Sequence, residues 1–285
     1  MSGGPAPATL TATVGRDGRE PARSGGLLPA ERRQRIFEEI LARHTVSVTE
    51  LAARFDVSAM TVRRDLQVLE EQGLVESVHG GAKPSTQNPF ELSFAQRELA
   101  GAEAKRAIGR AAAALVDDGE AVALDGSTTT LQVARNLTGR QPLTVVTNGI
   151  KAAAALGHRP GIDVIVTGGN LQQTASLVGP FARATLERLR VDWLFFSVTG
   201  ISDRLELAGP SDLDAETKGA MLAIARRVVL VADSSKFGRE SYVRVAALGE
   251  LHDLVTDSGI TPEWAARVTE TGVRLHVAPL PPAAG

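Results

Sequence analysis

The chain contains no cysteine. That excludes disulfides, thiolate metal sites and cysteine nucleophiles together. Aromatic residues make up only 4% of the 285 positions, so the core must be aliphatic, built from Val, Leu, Ile and Ala. No stretch approaches eighteen uninterrupted apolar residues, and the first thirty residues lack a basic region followed by an apolar one. Neither a membrane-spanning helix nor a secretion signal is expected, and the cytoplasm is the expected location. A dominant sign of charge is missing too, because the net charge is −2. Nothing global attracts nucleic acid or membrane, so any such function has to be local. No His/Asp/Glu cluster has metal-ligand spacing, and neither a metal nor a cofactor is expected.

What is present suits a globular chain: 43% hydrophobic and 22% charged residues, at a length comfortable for two domains. Residues 1–26 are rich in Gly, Pro, Ala and Arg without periodicity and are expected to be a disordered tail. Residues 27–84 form a first domain rich in α-helix. Residues 85–96, "STQNPFELSFAQ", are polar with Pro89 and are expected to be a linker. A larger α/β domain is expected over 97–260, followed by a C-terminal helix, strand and tail over 261–285.

In the first domain, "ERRQRIFEEILARH" puts Ile36, Phe37, Ile40 and Leu41 on one helical stripe. "TELAARF" gives a short second helix that Thr49 is expected to cap. A turn at Asp56-Val57 and an N-cap at Ser58 introduce a third helix, which buries Val62, Leu66 and Leu69 at i, i+4 and i+7. Gly73 stops it. "LVESVHGGAKP" alternates and turns at Gly80-Gly81, the pattern of a small β-hairpin. Helices around a tight turn with a trailing hairpin describe a winged helix-turn-helix. A single helix fits the major groove of DNA, with its N-terminal residues meeting base edges. Those residues are Ala59, Met60 and Thr61, with Arg63 and Arg64 one turn later and Ser58 amides free to hold a phosphate. The local charge does not advertise this, since residues 31–84 hold eight Lys/Arg against nine Asp/Glu. Arg54, Arg63, Arg64 and Lys83 are expected to make one positive face despite it.

"LAARFDVS", "TVRRDL", "LEEQGL" and "HGGA", in this order and spacing, resemble the DNA-binding domain of the DeoR family of bacterial transcriptional regulators. The resemblance implies that Ser58 to Arg64 are the reading end of the recognition helix. It makes Val78 to Lys83 the wing, including His79, Gly80, Gly81 and Lys83. Asp65, within "RRDL", is expected to orient an arginine, because its charge repels phosphate.

Beyond the linker the grammar changes. Helical stretches alternate with short β-branched runs: "AVALD", "LTVVTN", "DVIVTGG", "WLFFSVTG", "VVLVAD" and "LVTD". This implies a mostly parallel sheet covered by helices on both faces, with ligands outside the carboxyl ends of the strands. "LDGSTTTLQVARNL" reads as a strand ending at Asp125, a loop of Gly126, Ser127, Thr128 and Thr129, then a helix. Small residues, hydroxyls and a helix N-terminus suit an anion such as a phosphate. The Walker spacing and its lysine are absent. Asn148 in "TN", Gly168 and Gly169 in "TGG", and Lys236 in "ADSSKFG" are expected at the same sheet edge, Lys236 as a mobile cation. Asp212, Asp214 and Glu216 read as caps of the helix through "KGAMLAIARR".

This half also resembles the DeoR family, in its C-terminal sensor domain. The matching runs are "KRAIGRAAAALVDDG", "LDGSTTT", "VVTNGI", "VTGGNL", "ADSSKFG" and "VTDSGI", and the two domains together cover about residues 30–260. The resemblance implies a fold similar to sugar-phosphate isomerases and a phosphorylated sugar as effector. "ISDRLELAGPSDLDAETKGAM" matches more loosely and contributes Lys218. The expected function is a DNA-binding repressor of a sugar-metabolism operon, with operator double-stranded DNA as partner and a homo-oligomer, at least a dimer, on paired half-sites. The rival is a sugar-phosphate isomerase fused to a DNA-binding domain. It needs a general base, for which Asp125 is the candidate; none of His44, His79, His158, His252 and His276 falls in a strand-end motif.

Overall fold

Apolar spacing and capping residues set the elements of the first domain in the computed structural model, which describes residues 29–85, 89–139, 141–172 and 174–280. The tail expected over 1–26 and the final residues 281–285 lie outside those. Helix α1 (Pro29–Arg43) buries Ile36, Phe37 and Ile40, with Leu41 partly covered. Strand β1 (Val46–Ser47) runs directly into α2 (Val48–Phe55). Its cap is Ser47, not Thr49, which already lies inside the helix. The Ser47 hydroxyl accepts from the Glu50 N–H at 3.1 Å, and Glu50 accepts from the Ser47 N–H at 3.0 Å. That reciprocal pair satisfies two orphan amides.

Ser58 caps α3 (Ala59–Glu71) as expected, accepting from the Thr61 N–H at 3.1 Å. Val62, Leu66 and Leu69 are all buried, each worth about 1.5–3 kcal/mol against exposure. Gly73, left-handed at φ 70°, ends it. Strands β2 (Val75–Val78) and β3 (Gly81–Pro84) pair antiparallel, and β1 joins them in the order β1-β3-β2. Val78 pairs with Gly81, so the turn residues are His79 and Gly80, one position before the expected pair. The glycines differ in purpose. Gly80 supplies φ 76° for the turn. At Gly81 a Cβ would stand 2.2 Å from the Val46 carbonyl oxygen, so only glycine lets β1 approach.

Most of the segment expected as a linker is helical. Residues 89–99 form a helix, α4 (Pro89–Leu99). Proline suits a first helical turn, where its missing N–H has no acceptor to lose.

The second domain follows the alternating pattern. Its elements are α5 (Ala102–Ala113), β4 (Ala121–Leu124), α6 (Thr128–Asn136), β5 (Leu143–Thr147), α7 (Ile150–Leu156) and β6 (Ile162–Val166). Then come β7 (Asn170–Leu171), β8 (Leu177–Val178), α8 (Pro180–Leu186), β9 (Val191–Phe196), β10 (Gly200–Ile201), β11 (Glu206–Gly209) and α9 (Asp212–Ile224). The chain continues through β12 (Ala225–Val231), β13 (Val243–Ala247), β14 (Asp253–Asp257), α10 (Pro262–Glu270) and β15 (Arg274–Ala278). The six runs read as strands all lie in one parallel sheet, in the order β15-β14-β12-β9-β4-β5-β6. Its seventh strand, β15, comes from the segment set apart as 261–285, which therefore completes this sheet. Alternate residues face opposite cores. Val122, Leu124, Phe195 and Val229 pack on one side; Ala123, Leu194, Phe196 and Leu230 pack on the other. No helix among the described residues is long and apolar enough to cross a membrane.

Strand order decides where a ligand can sit. From β4 the chain builds outward through β5 and β6, then returns to lay β9 on the other side of β4 and continues to β15. The carboxyl ends of β4 and β9 therefore flank a topological switch point, where the following loops diverge and leave a crevice.

Candidate functional site

Asp125 follows β4 and reaches across that switch point. One carboxylate oxygen accepts the Ser127 N–H at 3.0 Å and the Thr130 hydroxyl at 2.8 Å. The other accepts the Ser197 N–H, just past β9, at 3.0 Å and lies 3.6 Å from the Lys218 ammonium. Both oxygens are thus engaged by the protein's own groups. Asp125 braces the loop. Lys218, on α9, also holds Asp214 at 2.7 Å. Burial opposes its charge, but Asp214 and Asp125 outweigh that and hold its pKa above the ordinary lysine value. Asp214 is therefore a buried ion-pair partner, and the cap expected of it is Ser211, which accepts from the Asp214 N–H at 3.3 Å. Exposed Glu216 points elsewhere and pairs with Arg183 at 3.0 Å.

The loop delivers a helix N-terminus to the crevice. Ser127 caps α6, accepting from the Thr130 N–H at 3.2 Å, and the first-turn amides of Thr128 and Thr129 have no intrahelical acceptor. Gly126 is pressed against Ser176, whose hydroxyl oxygen a Cβ would meet at 2.2 Å.

These residues line a cleft of about 470 Å³. Of the expected effector residues, Asp125, Gly126, Ser127, Thr128, Thr129, Lys218 and Lys236 all line it. Asn148, Gly168 and Gly169 do not. They follow β5 and β6, on the far side of the switch point. Asn148 is buried and donates to the Leu177 carbonyl at 3.0 Å. Gly168 and Gly169 take φ 72° and 118°, and a Cβ on Gly169 would meet the Val178 oxygen at 2.5 Å. Their service is to the β6–β8 connection.

The cleft also gathers residues the sequence did not mark: Arg97, Lys105, Ser176, Ser197, Asp233 and Arg239. Lys105 is buried and donates to the Arg97 carbonyl at 2.6 Å and to the Ala100 carbonyl. Burial chiefly pushes its pKa down, to about 8; Asp233 and Glu98 oppose the shift, while Lys236 and Arg97 add to it. Asp233 caps the turn Ser234–Lys236 through the Ser235 N–H at 3.1 Å. Lys236 stands at the end of that turn without an ion pair among the described residues. Cations, hydroxyls and a helix N-terminus converge on one crevice, which is an anion-binding arrangement.

On the first domain, Ser58, Ala59 and Met60 are exposed at the start of α3, and Thr61 is half-buried. Arg63 and Arg64 are exposed and form no ion pair among the described residues. Asp65 is buried beneath them and pairs with Arg32 at 2.6 Å and Arg33 at 3.5 Å, so the arginines it holds belong to α1. Arg54 and Lys83, expected in the positive face, are paired with Glu39 at 2.7 Å and Glu76 at 3.0 Å. His79 and Gly80 are exposed at the wing tip, whereas Gly81 is buried against β1.

Comparison with known proteins agrees with both halves. The family model of the DeoR-like helix-turn-helix domain matches residues 32–88, and that of the DeoR C terminal sensor domain matches 101–258. The uncharacterized HTH-type transcriptional regulator YulB of Bacillus subtilis is 35% identical over 89% of this chain and 98% of its own. The HTH-type transcriptional regulator GlpR of Haloferax volcanii is 37% identical over 87% of this chain and 98% of its own. The HTH-type transcriptional repressor CsqR of Escherichia coli is 34% identical over 86% and 94%. Among solved structures, ribose 5-phosphate isomerase A from Methanocaldococcus jannaschii aligns over 48% of this chain and 55% of its own, at 17% identity and TM-score 0.37. With both family domains in order and relatives matched over nearly their full length, this chain is a regulator and not an enzyme: it belongs to the DeoR family of helix-turn-helix transcriptional regulators.

Proposed function

We propose that this chain represses a sugar-metabolism operon in the cytoplasm, binding paired operator half-sites as a homo-oligomer, and that a phosphorylated sugar in the switch-point cleft alters that binding. The observation that carries the effector is the convergence of the α6 N-terminus, Ser127, Lys105 and Lys236 on one crevice. A phosphate presents several acceptor oxygens and about two negative charges, matching free amides, hydroxyls and ammonium groups together. The contact with DNA rests on Met60, Arg63 and Arg64, exposed at the reading end of α3.

Ser127→Ala and Lys236→Ala test this reading. Both should leave effector-free operator binding intact and blunt the response to sugar phosphate, whose full size is about 1–3 kcal/mol in operator affinity. Lys236→Ala is the stronger, weakening effector binding by about 1.5–3 kcal/mol, because a charge-assisted contact exceeds one from a hydroxyl. Calorimetry with pentose and hexose phosphates, beside operator titrations on the same samples, reads both effects. An unchanged response in Lys236→Ala would return that lysine to the solvent.

Lys105 adds a pH dependence. A sugar phosphate is close to dianionic above pH 7, since its second pKa is about 6. Lys105 carries its charge below about 8 and loses it above. Affinity should therefore fall between pH 7 and pH 9, and the fall should flatten in Lys105→Gln. Stability moves the other way. The folded-state pKa lies below the ordinary lysine value of 10.5, so the unfolded chain binds more protons between the two. This group's contribution to stability rises as pH climbs from about 8 toward 10.5. Equal slopes in the two proteins would remove Lys105 from the effector site.

A further inference from the structure

Arg97 lines the cleft from outside the sheet. It sits on α4, the helix between the two domains. Its Nη2 is shielded from solvent and has no hydrogen-bond partner among the described residues, while its Nε donates to the Ser93 carbonyl at 3.3 Å. A buried guanidinium nitrogen without an acceptor is costly, which makes an acceptor supplied by a ligand the natural completion.

The helix that carries it has two packed faces. Phe94, three residues earlier and on the same side, is buried with Leu131 and Ala175 of the sensor domain. Ala95 and Leu99, spaced i, i+4, pack against the core of the DNA-binding domain, beside Phe37 and Leu69. The last turn is tied to the cleft as well. The Arg97 carbonyl accepts from Lys105, and Glu98 pairs with Arg135 of α6 at 2.6 Å.

We propose that the Arg97 guanidinium is a ligand for the effector's anionic group, and that α4 carries effector occupancy from the cleft to the core of the DNA-binding domain. This rests on the reading of the cleft as a phosphate site. The guanidinium is planar and presents a fork of donors suited to phosphate oxygens. Drawing it toward a ligand displaces a helix whose opposite face is the floor of the helix-turn-helix. A packed helix moves as a unit, so a small shift at one face is felt at the other. The signal needs no path through the sheet.

The test uses the full chain and inorganic phosphate. Calorimetry should show phosphate binding to the unmutated protein, and hydrogen exchange should slow along residues 93–99 and 36–40 when phosphate is bound. Arg97→Ala should bind phosphate about tenfold or more weakly and lose that protection. Arg97→Lys should fall between, keeping the charge without the fork. Should Arg97→Ala fail to fold, Arg97→Lys and Arg97→Gln are compared in its place. Phosphate binding unchanged across the Arg97 variants overturns the ligand role. Binding by the unmutated chain with no protection over 93–99 overturns the coupling role. Absence of phosphate binding by the unmutated chain is a separate result, since it overturns the phosphate reading of the cleft before any variant is made.

Discussion

Asp125→Ala is expected to destabilise the sensor domain by about 3–5 kcal/mol. The carboxylate is almost wholly buried, and four donors converge on it from the loop, from Ser197 and from Lys218. Removing it leaves Lys218, itself buried, with Asp214 as its remaining partner, and leaves the Ser127 and Ser197 amides without their acceptor. Asp125→Asn should cost less, because an amide oxygen still accepts two of those bonds. Urea unfolding of the full chain, followed through the sensor-domain transition, ranks the variants. If Asp125→Ala unfolds at the same urea concentration as the parent yet no longer binds effector, the carboxylate is a ligand contact and not a brace.

At the DNA-binding end, Arg63→Ala and Arg64→Ala should each weaken operator binding by about 1–3 kcal/mol, and the double variant by at least the larger of the two. Both side chains are exposed and form no ion pair among the described residues, so folding and effector binding should survive. Salt dependence separates the two ways an arginine can act. An arginine on a phosphate, when removed, reduces the slope of log affinity against log salt by about 0.9; one on a base edge leaves it nearly unchanged. Arg54→Ala and Lys83→Ala should do less, because Glu39 and Glu76 already hold those charges. Titrations of a labelled operator duplex at several salt concentrations read all four. Full affinity in the double variant would take α3 out of the groove.

Much of this was legible in local pattern. Ser58, Ser127 and the alternation in "AVALD" or "VVLVAD" act within a few residues of themselves, and such features are set by the sequence alone. Asp65 was readable as an arginine partner from charge, although which arginines it holds depends on how α1 crosses α3. Where partners lie far apart in the chain, the sequence was silent or misleading. Nothing in "EAKRAIG" marks Lys105; the end of α4 folding over it makes it a buried lysine. Residues 85–96 look polar enough for a linker, and only packing on both sides makes a helix of residues 89–99.

By itself, then, the sequence determined the two domains, the capped helices and the parallel strands, because propensity, period and caps are short-range. It also singled out the loop after β4 and the exposed start of α3. Tertiary structure decided which strand ends meet. Asp125 and Ser197 are neighbours because β9 returns beside β4, while Asn148, Gly168 and Gly169, equally strand-terminal in sequence, are carried to the other side by β5 and β6. Strand order is a long-range choice fixed by how two faces of a sheet are covered, and no pattern of period two records it. The same holds for Arg97: its place in the cleft follows from the docking of α4 between two cores, which no single segment encodes.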